Sequence, residues 1–108
     1  MLVAIAVLAV VAELLAYDGP AGLGAAAFGI AVGALLVHVV VPRTDRAAHG
    51  LLAWSFGLTA LFTTVAFWSA LPFAFAAGAY AAAGRATAPP AVLGAIATVI
   101  ASVFCILA

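Results

Sequence analysis

The sequence predicts an all-α fold, a polytopic transmembrane helical bundle of five helices: four full spans plus a short fourth element at 72–84. Three observations predict it. Hydrophobic residues make up 70% of the 108 and charged residues only 6%, whereas a soluble domain carries about 45–50% and about 25%. Long apolar runs alternate with short connections marked by Pro, Gly or charge. The three basic residues are all Arg, and all fall in those connections.

The same numbers exclude other classes. A soluble globule of this length has too much surface for its volume to hide so many apolar side chains. Disorder needs the opposite composition. A net charge of zero gives nucleic-acid phosphates nothing to pair with, so the expected partner is the lipid bilayer.

A transmembrane helix needs about 20 apolar residues, with a range of roughly 17–25. The first run, 2–17, ends at Asp18-Gly19-Pro20, a strong turn signal. The second, 21–41, ends at Pro42 and the polar stretch Arg43-Thr44-Asp45-Arg46, where Thr44 or Asp45 is the expected N-cap of the next helix. Gly50 to Gly84 as one helix would be about 52 Å long, against a hydrocarbon core of about 30 Å. A break at Ser69-Ala70-Leu71-Pro72 divides it into a third span, 50–69, and a fourth run, 72–84. That fourth run reaches only about 20 Å, so it is read as either a short span or a re-entrant half-helix. The last run, 91–107, follows Pro89-Pro90, which suits a first turn that needs no N–H donors there. The five runs form a single transmembrane domain over 1–108.

Topology follows from Arg43, Arg46 and Arg85. The positive-inside rule puts the loop with Arg43 and Arg46 in the cytoplasm, and therefore the N-terminus as well. A spanning fourth element returns Arg85 to the cytoplasmic side and leaves the C-terminus outside; a re-entrant one puts Arg85 outside. The five-span arrangement obeys the rule at all three positions and is preferred, in the plasma membrane. Trp54 and Trp68 stand about 21 Å apart along a helix, the spacing of an aromatic belt, and Tyr17 fits the same pattern.

Helices in lipid associate by close packing and interhelical hydrogen bonds. Gly29 and Gly33 form a GxxxG; Ala74, Gly78 and Ala82 form a stripe on the fourth run, and Gly94, Thr98 and Ser102 one on the fifth. Such stripes serve either a second copy or membrane-protein partner, or the bundle's own packing. Ser55, Thr59 and Thr63 share one face of the third run. This polar seam has three readings: interhelical bonds, bonds to carbonyls one turn back, or a water-lined path.

An ionisable group inside a span is a functional-site candidate by default. Glu13, near the end of the first run, is the candidate proton or cation site; the competing reading is a carboxylate that reaches the headgroups. His38 and His49 bracket the second connection, and two His alone make a poor metal site, so no metal and no cofactor are expected. Cys105 is the single cysteine and is read as a small apolar packing group. No catalytic spacing is present, and the chain is not expected to be an enzyme.

The first functional reading is a small integral membrane protein of structural or interaction type, packing helices with itself or a membrane partner. The alternative is an oligomeric transporter or channel that uses Glu13. Glu13 and its apolar neighbours, roughly a dozen residues of the first run, resemble the small multidrug resistance transporters. That family has four spans and a functional Glu in the first, which exchanges protons for cations. This chain departs from it in the fifth run and in the place of Glu13 near a helix end. A topology reporter fused after residue 108 is expected outside; a cytoplasmic signal overturns the five-span arrangement.

Overall fold

Apolar runs without water around them leave the backbone one way to satisfy its own N–H and C=O groups within a segment, the helix. The computed structural model describes residues 2–16, 20–65, 70–84 and 87–107. Among these it contains five helices and no strand: α1 (Leu2–Ala16), α2 (Pro20–Leu35), α3 (His49–Phe62), α4 (Leu71–Ala83) and α5 (Pro89–Leu107). Tyr17, Asp18, Trp68, Ser69 and Arg85, which carried part of the sequence reading, lie outside the described residues.

α2 does not stop at Leu35. A π turn (Leu36–Val40) and a last helical turn (Val41–Arg43) prolong it. Proline clashes with the carbonyl four residues back, which for Pro42 belongs to His38. The π turn sits there, with the Val41 N–H bonded five residues back to Leu36 O, and such local widening is how lipid-embedded helices tolerate proline. The connection to α3 is closed differently from expectation. Thr44 Oγ1 donates to Val40 O at 2.7 Å, and His49 Nε2 lies 3.0 Å from both Val41 O and Thr44 O. Both acceptors are carbonyls, so that nitrogen carries the proton. Thr44 thus finishes α2 rather than capping α3, and neither Asp45 nor Ala48 makes a side-chain cap.

α4 begins from Ala70, which is left-handed at φ 60°, with Pro72 in its first turn. It ends at Gly84, φ 79°, whose N–H bonds Tyr80 O at 3.0 Å. α4 touches all four other helices, and its Pro72, Phe73, Ala74 and Ala76 through Ala79 are buried. Its thirteen residues are thus walled by protein at the centre of the bundle.

Two small-residue stripes that look separate in the sequence mesh here. Gly29 lies against Ala70, Gly33 against Ala74, and Leu36 against Gly78, so α2 and α4 run parallel. Ala60 of α3 and Ala97, Ala101 and Cys105 of α5 cluster with the start of α4, while Ala53 of α3 clusters with its end. The helices therefore alternate in direction along the chain.

The interior is small and the exterior large. Ala60, Ala79, Ala97 and Ala101 are completely buried, whereas Val3, Leu51 and Phe62 are 75–77% exposed. The large apolar core residues are Ile5, Val41, Phe56 and Phe73; Phe56 also meets the ring of Phe75 at 5.9 Å between centroids. Soluble proteins sort side chains the other way, and an apolar exterior this extensive aggregates in water. Three helical segments, Ala21–Arg43, Arg46–Val65 and Pro89–Leu107, are long and apolar enough to cross a membrane.

The glycines give a graded test. A methyl on Gly57 would meet Pro90 O at 2.9 Å, and one on Gly94 would meet the Ala76 backbone at 3.1 Å, whereas Gly24 faces open space. Gly57→Ala and Gly94→Ala are expected to destabilise by about 1–3 kcal/mol through overpacking. Gly24→Ala is expected to be neutral or to stabilise by up to about 1 kcal/mol through helix propensity. Thermal melts in detergent, followed by circular dichroism, check the order.

Candidate functional site

The site is built where α1 ends. Ile5, Ala9, Ala12 and Glu13 are the buried residues of α1, a spacing of three and four that makes one face. That face turns inward, so Glu13 is carried into the bundle with the alanines below it. Its side chain is 0% exposed. The reading in which it reaches the headgroups is not the arrangement seen.

Three other elements close around it. α2 crosses closest at Gly22, where a methyl would lie 2.9 Å from the Glu13 backbone carbonyl. Ala70 presents its backbone N–H toward the carboxylate, but without hydrogen-bond geometry: both Oε1 and Oε2 are buried and have no hydrogen-bond partner. Cys105 of α5, also fully buried, belongs to the same core cluster as Ala12 and Ala70. Nothing among these groups is basic. A carboxylate so placed lacks the compensation that buried charge requires, so it persists as the neutral acid or by meeting a cation.

Ala70 is strained as well as buried. Left-handed backbone costs a residue with a Cβ roughly 1–2 kcal/mol, and here surrounding contacts enforce it: Gly29, having no side chain, lets α2 press against the Ala70 methyl. The strain is thus located at the mouth of α4, beside Glu13. Nothing in the sequence signals it, because a left-handed position normally announces itself as Gly or Asn. The place of Cys105 in the same core is equally invisible in sequence, where ninety-two residues separate it from Glu13.

The other predicted residues lie apart from this centre. Ser55 Oγ donates to Leu51 O at 2.9 Å, Thr59 Oγ1 to Ser55 O at 2.6 Å, and Thr63 Oγ1 to Thr59 O at 2.8 Å. Each hydroxyl is therefore engaged one turn back in its own helix, and Ser55 is exposed. Thr98 and Ser102 do the same, bonding Gly94 O and Thr98 O. Gly29, Gly33, Gly78 and Gly94 all face neighbouring helices of this chain. His38 is exposed on the π turn, and Arg43 and Arg46 are exposed beside it in the chain. Trp54 is 45% exposed. Among the described residues no group of three or more metal-ligating side chains exists. No protein-family model, curated protein or solved structure matches this chain.

Glu13→Met keeps a comparable volume and removes the unpaired carboxyl. It is expected to raise stability by about 1–3 kcal/mol, the usual penalty of an unsatisfied buried polar group. A melting temperature unchanged or lowered in Glu13→Met contradicts the burial described.

Proposed function

We propose that this chain is an integral membrane protein whose working group is Glu13, an intramembrane proton or cation site, in a small transporter or channel acting as an oligomer. One observation carries the reading: a fully buried carboxyl with neither oxygen hydrogen-bonded. Intramembrane acids are expensive and typically mark ion or proton pathways. A residue kept at a cost to stability, next to a strained backbone, fits the habit of functional sites.

The chemistry asked of it is modest. The neutral acid sits among Ala12, Ala70 and Cys105 without a charge to compensate. Release of its proton requires the junction of α1, α2 and α4 to open to water, since the closed packing offers the carboxylate no partner. The joint that must move is the Gly22 crossing, where α1 and α2 are held by van der Waals contact. The proposed setting is the plasma membrane, with the N-terminus and Arg43 and Arg46 cytoplasmic and the C-terminus outside. In that orientation Glu13 lies toward the outer leaflet.

The interaction reading, in which the chain packs helices with itself or a membrane partner, has less support. The glycines that suggested it are occupied within the chain. It would regain ground if the protein co-purified with a stoichiometric membrane partner.

Reconstituted proteoliposomes test the proposal. A proton- or cation-linked flux, read with a pH-sensitive dye under an imposed gradient, is expected from the natural chain and lost in Glu13→Gln, with partial retention in Glu13→Asp. Flux unchanged by Glu13→Gln, or no flux with protons, sodium or potassium, sinks it.

A further inference from the structure

A cleft of about 180 Å³ runs between α1, α2 and α4, separate from Glu13. It exists because the residues facing it are small, among them Ala6, Ala9, Gly33 and Ala74. Ile30 and Ala34, also in its wall, are exposed, so it opens along the flank of the bundle rather than through an end. From Gly29 to His38 it follows α2 for about 13 Å. Its lining is apolar throughout except at one end, where the π turn sets His38. π turns inside helices favour functional positions. Past His38 the chain carries Arg43 and Arg46, exposed, against Asp45 alone.

We infer that this cleft seats a segment of one acyl chain of an anionic phospholipid, with the headgroup phosphate at His38, toward Arg43 further along the chain. The shape decides the class of occupant. A cavity of about 150 Å³ holds a molecule the size of benzene, so this volume accepts a linear chain or a small ring. A helix of a second copy, about 10–12 Å across, is too wide to enter. An apolar wall excludes a polar solute or a bare ion. The charge decides the headgroup: Arg side chains such as Arg43 and Arg46 close to a membrane surface favour anionic over zwitterionic lipid by roughly five-fold each, and His38 adds a hydrogen-bonding ring at the cleft end. A flank opening is where tails arrive, and a basic end is where their phosphates stop.

Native mass spectrometry of the purified full chain tests this, with phosphatidylglycerol and phosphatidylcholine of identical acyl chains as probes. One phosphatidylglycerol per chain is expected to be retained in preference to phosphatidylcholine. Ala34→Phe, which fills the cleft from its exposed wall, is expected to abolish that retention. His38→Ala combined with Arg43→Gln is expected to lower the preference by at least the roughly five-fold that one Arg supplies. Both positions are exposed, so this second variant decides the matter should circular dichroism show that Ala34→Phe misfolds. Equal retention of the two lipids, retention by folded Ala34→Phe at the natural level, or a dimer whose formation displaces the lipid overturns the inference.

Discussion

The approach of α2 to α4 is the contact on which the rest of the structure depends. Gly29 against Ala70, Gly33 against Ala74 and Leu36 against Gly78 fix the two helices parallel and in register. That register places α4 at the centre, where α1, α3 and α5 can surround it. It also sets the start of α4 beside Glu13, because Gly29 admits the left-handed Ala70. In the proposed lipid setting no hydrophobic drive gathers helices, and van der Waals contact at these close approaches is then what holds the bundle. A side chain at Gly29 would part α2 from the mouth of α4 and loosen both the core and the carboxyl's enclosure.

Glu13 is where the structure departs from its own logic. The other inward positions of α1 carry Ile5, Ala9 and Ala12, apolar and suited to their surroundings. Glu13 follows the same spacing and so shares their burial, without sharing their chemistry. The Ala70 N–H lies toward it without hydrogen-bond geometry, and the Cys105 thiol in the same core is a weak donor. In α3 and α5 the serine and threonine hydroxyls are satisfied locally, by carbonyls one turn back. Among the buried side-chain oxygens and nitrogens of the described residues, those of Glu13 alone are without a partner, which is why the functional proposal rests there.

Much of the helical plan was legible in the sequence because its punctuation is physical. Pro20, Pro42, Pro72 and Pro89 each stand within a turn of a helix end, and Gly84 closes α4 in the left-handed form that glycine alone adopts freely. In α3 the α-helix ends at Phe62 with a 3₁₀ turn over 63–65, and the expected end at residue 69 lies outside the described residues. What was not legible was which faces meet. An all-apolar helix carries no amphipathic stripe to tell inside from outside, and small-residue spacings recur by chance in a chain so rich in alanine and glycine. The pairing of Gly29 and Gly33 with Ala70 and Ala74, the engagement of Ser55 and Thr59 with their own helix, and the turning inward of Glu13 all depend on tertiary placement. Thr44 is ambiguous in sequence for a related reason: a hydroxyl between two helices serves equally to end one or begin the next.

The arrangement of small residues within and large ones without has a consequence for how such a chain varies. Ala60, Ala79, Ala97 and Ala101 leave no room for anything bigger, so mutation there is confined to very few letters. Val3, Leu51 and Phe62 face outward and accept almost any apolar substitute. The outward positions therefore tolerate exchange among apolar side chains while the shape stays fixed, and the positions that hold the shape are small, undistinguished letters, alanine above all.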